Sequence, residues 1–428
     1  MHFPLSQGLR RTDSCDVGEK TLRAALFSLK NGFIPRKYSA NRRFIPRKYV
    51  FLHRQQQCEE MKYLHEHDNW WEFRYDTERI LSVLGCVRAK QGMLLGRMMS
   101  LGFDFQGETL LSALSVELTS SSEIEGESLD LAQVRSSIAR RLGLPAAGMV
   151  GSSRYIEGVV EMLLDATQRY DHQLTSERLY GWHNVLFPSG ISGLYQIEVA
   201  RYRSGDMQVV SGPMGRERVH YQAPSPERVP CEMSRFIDWV NTESSVDPVL
   251  RAAIAHLWFI TIHPFDDGNG RIARALTDMM LARSEQSGQR FYSMSAEIKQ
   301  QRVAYYDVLE RTQRGDGDIT EWLVWFLQCL DSALDNTTST LSHVMQKARY
   351  WEHFADVSVN ERQRKLLNML FDDFFGKLTS SKWAKIAKCS SDTALNDIND
   401  LLSKGMLVKS AEGGRSTSYS LPPLTTPS

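Results

Sequence analysis

The stretch that most constrains this chain of 428 residues is Thr-Ile-His-Pro-Phe-Asp-Asp-Gly-Asn-Gly-Arg-Ile-Ala-Arg, at residues 261–274. Residues 251–262 are apolar on nearly every face, which predicts a buried helix, and residues 272–282 predict a second one. The polar residues between them therefore occupy a loop that closes one helix and opens the next.

This loop has the composition of a phosphate-binding site. Gly268 and Gly270 permit positive φ and close approach of the backbone to a ligand, and the first amides of the following helix favour an anion. Arg271 and Arg274 lie three residues apart, so both guanidinium groups can point to the same side of that helix. No Gly-Lys-Ser/Thr follows the glycines, so the loop is not a Walker A motif.

Two further side chains of the loop suit phosphate chemistry. His263 titrates near neutral pH and can accept a proton from a hydroxyl. Asp267 is a hard oxygen ligand, suited to a magnesium ion that also contacts phosphate oxygens. The alternative is a structural corner between two helices with a capping histidine. The full set of residues at fixed spacing favours the nucleotide site.

Residues 263–274 resemble the signature of the Fic family, His-Pro-Phe-x-Asp/Glu-Gly-Asn-Gly-Arg-x-x-Arg, at every fixed position. In that family the histidine deprotonates a Ser, Thr or Tyr of a target protein. The hydroxyl then attacks the α-phosphate of ATP, AMP stays on the target, and pyrophosphate leaves with the metal. The resemblance thus implies a protein adenylyltransferase that uses ATP and Mg²⁺, and the target could be the protein itself.

The resemblance also assigns a role to each residue of the loop. His263 is the base, Asp267 is the magnesium ligand, and Phe265 anchors the loop in the core. The phosphates are bound by the remaining residues: Gly268, Asn269 and Gly270 around the α- and β-phosphates, Arg271 against the charge of the leaving group, and Arg274 on the γ-phosphate.

Residues 119–126, Thr-Ser-Ser-Ser-Glu-Ile-Glu-Gly, resemble the family's inhibitory motif, Ser/Thr-x-x-x-Glu-Gly/Asn. Ser121, Glu125 and Gly126 stand at its fixed positions. The resemblance implies that Glu125 pairs with Arg274 and fills the space of the γ-phosphate. Such a pair contributes roughly 1.5–3 kcal/mol, so ATP could bind, but in a pose unfit for attack.

Residues 202–212 predict a pair of short strands interrupted by the Gly-Asp step at 205–206, and residues 220–226 are predicted to return the chain to helix. This pattern resembles the family's β-hairpin flap, which binds an extended target segment by strand addition. Met207, Val209 and Val210 are the flap residues expected to contact the target. The alternative is a surface hairpin without a partner.

Residues 303–313 predict a helix that borders the adenine in the family. Tyr305 or Tyr306 could stack on the base, and Gln313 could form a hydrogen bond with it. The alternative places the tyrosine pair in the core.

Residues 360–422 follow the pattern of a winged helix-turn-helix, with helices near 366–371, 379–388 and 390–402 and two strands around a Gly-Gly wing. The last of these helices carries Asp392, Asp397 and Asp400, which a surface lying on DNA phosphates would avoid. DNA binding through residues 379–419 therefore stays level with a protein-binding role.

Residues 1–60 carry 12 Lys/Arg against 5 Asp/Glu, and Phe-Ile-Pro-Arg-Lys-Tyr at 33–38 recurs at 44–49. We interpret them as a basic extension, disordered or non-native, ahead of a natural start at Met61. The alternative is a basic tail that contacts nucleic acid or membrane.

The composition of the whole chain is that of a globular protein. Lys plus Arg equals Asp plus Glu at 51 each, so no overall charge points to nucleic acid. The six cysteines lack paired spacing for zinc, which favours reduced thiols and a cytoplasmic location. The longest apolar run, near residues 256–262, is too short to span a bilayer. A homodimer is compatible with the sequence.

The sequence therefore predicts an all-α Fic fold. A helical domain at 61–148 with the inhibitory motif at 121–126 precedes a Fic core at 149–335 with its hairpin flap, a linker helix at 336–359 and a winged helix at 360–422. The predicted function is transfer of AMP from ATP to a protein hydroxyl, restrained by Glu125. Alternatives are a Fic enzyme that transfers another phosphate-containing group or removes AMP, and an ATP-sensing DNA-binding regulator.

Overall fold

A computed structural model describes residues 63–100, 103–144, 149–212, 216–371, 377–410 and 417–423. The predicted extension at 1–60 lies outside the described residues, as does the Gly-Gly wing at 413–414.

Within the described ranges the chain is built mainly of α-helices, which confirms the predicted all-α class. The helices are α1 (Thr77–Met99), α2 (Phe103–Ile124), α3 (Leu131–Leu142), α4 (Arg154–Gln168), α5 (Ser176–Leu186), α6 (Val229–Asn241), α7 (Pro248–Ile262), α8 (Asn269–Glu285), α9 (Met294–Gln300), α10 (Arg302–Gln313), α11 (Thr320–His353), α12 (Glu361–Phe371), α13 (Ser380–Ala387) and α14 (Ser391–Ser403). The strands form three separate antiparallel pairs: β1 (Ile191–Ser192) with β2 (Tyr195–Gln196), β3 (Gln208–Ser211) with β4 (Arg218–Gln222), and β5 (Val408–Lys409) with β6 (Tyr419–Ser420).

The N-terminal helices share one hydrophobic core with the helices that follow them. Buried side chains from Leu64 to Leu341 form a single cluster, in which Trp70 and Trp258 pack edge to face with ring centroids 6.0 Å apart. Asp76 caps α1 by accepting from the amides of residues 78 and 79. The predicted domain at 61–148 is therefore packed directly on the predicted Fic core.

The pair α7 and α8 lies at the centre of this core. Asp247 caps α7 and Pro248 occupies its first position, where a missing N–H costs nothing. Nearly every residue of α7 from Val249 onward is buried, so its all-apolar sequence is matched by neighbours on all sides. The loop at 263–268 is thereby held between two rigid helices.

The flap hairpin differs from its prediction. Residues 202–206 form no strand, and β3 pairs instead with β4, which we had expected to return the chain to helix. A β-bulge falls between Val209 and Val210. The sequence of β4, Arg-Val-His-Tyr-Gln, did not predict a strand because its apolar alternation is weak. Only Tyr221 of these five residues is buried.

The C-terminal module is joined to the core by a single helix. Helix α11 runs from Thr320 to His353 without a break, so the predicted boundary between residues 335 and 336 falls inside it. Its far end contributes Tyr350 to a second hydrophobic cluster, formed with α12, α13 and α14. The described elements of this module are three helices followed by the short β5–β6 pair.

Among the described residues, no helix combines the length and apolar character that crossing a membrane would require. The four described cysteines, Cys86, Cys231, Cys329 and Cys389, form no disulfides with one another.

Candidate nucleotide-binding and catalytic site

The backbone of the loop requires the residues that the sequence supplies. His263 ends α7 in the left-handed region at φ 52°, and Gly268 precedes α8 at φ 81°. A Cβ at position 268 would lie 2.8 Å from Cε2 of Phe187, so packing as well as backbone conformation demands glycine there. The first amides of α8 have no partner within the helix, which makes its N-terminus a candidate anion site.

His263 is buried and held in one tautomer. Its Nδ1 lies 3.1 Å from the carbonyl oxygen of Ile260, and only a protonated Nδ1 can donate to that oxygen. The lone pair of the neutral ring is therefore on Nε2. Burial lowers the pKa of His263 to about 4, and the nearby Arg203 acts in the same direction, so the imidazole is neutral at pH 7.

Phe265 and Asn269 close the loop from inside. The Phe265 ring is fully buried and stacks on the His183 ring with centroids 4.3 Å apart. The Asn269 side chain accepts from the Phe265 amide at 3.0 Å and donates to its carbonyl at 2.7 Å. The Asn269 side chain is thus used within the loop, which leaves its backbone amide as the group that could contact phosphate.

Asp267, the predicted magnesium ligand, is already held by protein donors. Its Oδ1 accepts from the Gly268 amide at 2.7 Å, and its Oδ2 accepts a short hydrogen bond from the Ser192 hydroxyl. No group of three or more potential metal ligands occurs among the described residues. A single carboxylate fits magnesium only when nucleotide phosphates and water supply the other ligands.

Arg274 is hydrogen-bonded to two residues of the predicted inhibitory motif, Ser121 and Glu125. Its Nε donates to Ser121 Oγ at 2.8 Å, and its Nη2 donates to the Ser121 carbonyl and to Glu125 Oε1, each at 2.9 Å. A Cβ on Gly270 would overlap Glu125 Oε1, so the carboxylate lies directly against the first turn of α8. Glu125 therefore occupies part of the predicted anion site.

Arg271 has a different set of partners, which we did not predict. Its Nη1 donates to Glu127 Oε2 at 2.9 Å and to the Tyr155 hydroxyl, and that hydroxyl donates to Glu127 in turn. The guanidinium also lies over the Phe187 ring, 5.0 Å from its centroid. The signal available in the sequence was a carboxylate directly after the motif, at Glu127.

A turn at Gly126 brings both carboxylates to the loop. Gly126 follows the end of α2 with φ 82°, its amide donates to the Glu123 carbonyl, and the Glu127 amide donates to the Ser122 carbonyl. This is a Schellman-type helix end, which favours glycine or asparagine at the left-handed position. The motif's preference for glycine or asparagine after the glutamate thus has a backbone reason.

The three residues of α10 that were expected near the adenine differ in how buried they are. Tyr305 is buried in the core, where its hydroxyl lies 2.8 Å from His256 Nε2 and its ring packs near Trp322. Tyr306 is only half-buried. Gln313 is buried and reaches Thr261 Oγ1 at 3.4 Å. Of these three, Tyr306 has the accessibility that stacking on a base would need.

The β3–β4 flap contacts helix α10. His220 on β4 contacts Ser211 through Nε2 and Glu310 through Nδ1, both at 2.5 Å. Of the predicted flap residues, Val209 is half-buried, whereas Met207 and Val210 are buried. Val209 is therefore the side chain of the three that is open to a target segment.

Two supporting residues were missed because nothing in their local sequence marks them. Arg203, almost fully buried, donates from its Nε to the His263 carbonyl at 2.8 Å and from its backbone amide to the Pro264 carbonyl at 2.9 Å. His183 donates from Nε2 to the Asp267 carbonyl at 3.1 Å. Both fix the backbone of the loop from outside it.

Comparison with known proteins agrees with this geometry. Residues 173–281 match the model of the Fic/DOC family, and residues 63–144 match a domain of unknown function (DUF4172). "Protein adenylyltransferase Fic" of Culex quinquefasciatus is 31% identical over 230 residues, which cover 51% of this chain and 41% of that protein. The protein of the same name from Drosophila willistoni is 30% identical over 219 residues, covering 50% and 39%. The chain thus spans about two fifths of the length of these curated relatives.

Among solved structures, a Fic family protein from Desulfovibrio desulfuricans G20 is similar at 21% identity, with a TM-score of 0.47, over 82% of this chain and 98% of that one. The matched region contains the complete loop at residues 263–274, with its candidate anion site and the buried His263. Residues 173–281 of this chain therefore form a Fic/DOC domain.

Proposed function

We propose that this protein is an adenylyltransferase that moves AMP from ATP to a Ser, Thr or Tyr hydroxyl of a protein. The observation that carries the proposal is His263, buried and neutral beside an anion site, with its tautomer set by the Ile260 carbonyl. A protein that only sensed ATP would need the anion site but no base. The names of the relatives support the same activity.

In the proposed reaction His263 Nε2 accepts the proton of the target hydroxyl. The hydroxyl oxygen forms a bond to the α-phosphorus of ATP, the bond from that phosphorus to the bridging oxygen breaks, and pyrophosphate leaves. The amides of the first turn of α8 and the guanidinium of Arg271 stabilise the developing negative charge. Magnesium bound to the phosphates would neutralise part of their charge, with Asp267 as its protein ligand.

We further propose that Glu125 restrains this activity. Its carboxylate takes the Nη2 edge of Arg274 and lies against the α8 amides, where a γ-phosphate would otherwise bind. Both partners are largely withdrawn from solvent, with the Arg274 side chain 2% and the Glu125 side chain 22% exposed, so the ion pair is not a weak surface contact. ATP must displace this pair to bind in the reactive pose.

The Glu125→Gly variant is expected to transfer AMP about 10–100-fold faster than the wild type, because loss of a pair contributing roughly 1.5–3 kcal/mol frees Arg274. The full chain would be incubated with ATP and magnesium chloride, and intact-mass spectrometry would count AMP groups on the protein and on added acceptor proteins. Glu123→Gly is the matched control, since Glu123 belongs to the same helix end but pairs with Lys299.

Equal AMP transfer by the wild type and Glu125→Gly would rule out inhibition by Glu125. Nucleotide binding without AMP transfer in either would redirect the search to other phosphate donors or to AMP removal. If neither protein binds ATP, the assignment of the loop as a nucleotide site is wrong.

A second proposal concerns DNA and residues 379–419. Asp397 is buried and held by Arg362 at 3.0 and 3.1 Å, and Asp400 pairs with Lys404, so these acidic groups are neutralised within the module. The exposed face of α14 instead presents Asn396 and Asn399, side chains that can read base edges.

Fluorescence anisotropy with a random-sequence duplex is expected to give binding that weakens steeply between low and physiological salt. Asn396→Ala with Asn399→Ala should remove any sequence preference found by selection. Absence of binding at low salt would leave a protein-binding role for this module.

A further inference from the structure

Arg274 and Arg271 are hydrogen-bonded to the protein through different edges of their guanidinium groups. Arg274 engages Nε and Nη2, the side-on edge of its guanidinium, with Ser121 and Glu125. Arg271 engages only Nη1, with Glu127 and Tyr155. The side-on edge is the one that offers two parallel N–H groups to a phosphate or carboxylate. In Arg274 this edge is hydrogen-bonded to the protein, whereas in Arg271 it has no hydrogen-bond partner among the described residues.

The unused edge of Arg271 is withdrawn from water. Its Nε and Nη2 are buried and have no hydrogen-bond partner within the described structure, and the whole side chain is 2% exposed. Buried donors are nearly always satisfied in folded proteins, so two adjacent buried donors without a partner, beside the first amides of α8, point to an anionic ligand.

The remaining contacts fix the plane and direction of the guanidinium. Glu127 follows the turn at Gly126, Tyr155 lies in the first turn of α4, and the Phe187 ring at the end of α5 covers one face. Nη1, the hydroxyl and the carboxylate form a closed triangle in which each pair is hydrogen-bonded. Three separate elements therefore restrain a single side chain.

We propose that Glu127 and Tyr155 are positioning residues that present the Nε–Nη2 edge of Arg271 to a nucleotide phosphate. Glu127 then acts in the opposite sense to Glu125, although the two carboxylates are only two residues apart. Glu125 keeps Arg274 from the substrate, whereas Glu127 orients Arg271 toward it. This inference rests on the proposed function and names residues of the same site.

The test uses the full chain in the Glu125→Gly background, so that the state of Arg274 is the same in all variants. Glu127→Ala, Glu127→Gln and Tyr155→Phe are each added to that background, and Glu123→Ala serves as the matched carboxylate control. For each protein, kcat and KM for AMP transfer are measured, together with the Kd for ATP by calorimetry in magnesium chloride.

Glu127→Ala is expected to lower kcat/KM about 10–100-fold, since a misplaced catalytic side chain typically costs that much. Part of the loss should appear in kcat, because Arg271 acts on charge that develops during the reaction, and part as a higher Kd for ATP, because the same edge contacts a phosphate of the bound nucleotide. Glu127→Gln keeps an acceptor for Nη1 and should recover part of the loss. Tyr155→Phe should show a smaller loss, and Glu123→Ala none.

A rise in AMP transfer on Glu127→Ala would mean that Glu127 is a second brake, and would overturn the proposal. So would an unchanged kcat/KM, or an equal loss in the Glu123→Ala control. If the Glu125→Gly parent transfers no AMP, the proposed function fails while the inference stays testable. In that case weaker ATP binding by Glu127→Ala than by Glu123→Ala supports it, and equal binding overturns it.

Discussion

His263→Ala in the Glu125→Gly background is expected to lower AMP transfer about 10²–10⁴-fold, the usual contribution of a positioned general base. The imidazole that accepts the hydroxyl proton is lost, while the loop backbone keeps its supports at Arg203 and His183. The rate would be followed by intact-mass spectrometry over time, with the Kd for ATP measured in parallel.

The binding measurement separates chemistry from structure. The Kd for ATP should change little, because His263 contributes no phosphate contact in the proposed mechanism. Since burial lowers the pKa of His263 to about 4, the rate per folded molecule of the Glu125→Gly parent, with the folded fraction measured by circular dichroism at each pH, should stay level from pH 7 down to about pH 5. An undiminished rate in the alanine variant, or a steep loss of parent rate near pH 6.5, would contradict His263 as the base.

Acidification from pH 7 to pH 5 is expected to remove a large part of the folding stability. His65, His183, His256 and His263 are buried, and burial lowers their pKa values to about 4, 4, 3 and 4. Each takes up a proton near pH 6.5 when unfolded but stays neutral when folded. The unfolded state therefore binds more protons below pH 6.5, and stability falls as the pH drops toward 4.

The expected loss at pH 5 is about 2 kcal/mol per histidine, or roughly 8 kcal/mol for all four, against a typical total of about 5–15 kcal/mol. Asp278 offsets part of it, because burial raises its pKa and the folded state takes up a proton there. Urea unfolding at pH 7 and pH 5 measures the difference in the free energy of unfolding.

His256→Gln is the informative variant for this effect. Whatever its stability at pH 7, its free energy of unfolding should depend less on pH than that of the wild type, since one of the four groups is gone. Identical pH slopes for the two proteins would exclude His256 as a contributor, and a flat profile in the wild type would contradict the whole prediction.

The parts of the fold that the sequence predicted well are those with dense local signals. The helix at residues 251–262 was predicted from its apolar sequence and is α7 (Pro248–Ile262), and the loop at 263–274 was predicted from its fixed motif. The partner strand of the flap was missed because His220 and Gln222 gave no apolar alternation. Its strand conformation depends instead on pairing with β3 and on the contact with Glu310.

The residues of the site likewise fall into those that a local sequence motif predicted and those that no local pattern marks. The loop residues and Glu125 could be named because they belong to two motifs, at residues 263–274 and 121–126, each contiguous in the sequence. Glu127, Tyr155 and Arg203 reach the loop arginine or the loop backbone from 60 to 144 residues away along the chain, and no local spacing encodes such contacts. Tyr305 had two equally good readings, since an aromatic pair on a helix looks the same whether it faces a ligand or the core.

Helix α11 has a mechanical consequence. Its first half belongs to the hydrophobic cluster around α7 and α8, and Tyr350 near its end belongs to the cluster of the C-terminal module. At about 1.5 Å per residue, the 34-residue helix forms a rod roughly 50 Å long with a packed core at either end. A rod resists bending and torsion far better than a loop. The C-terminal module should therefore tumble with the rest of the molecule, with one rotational correlation time rather than two.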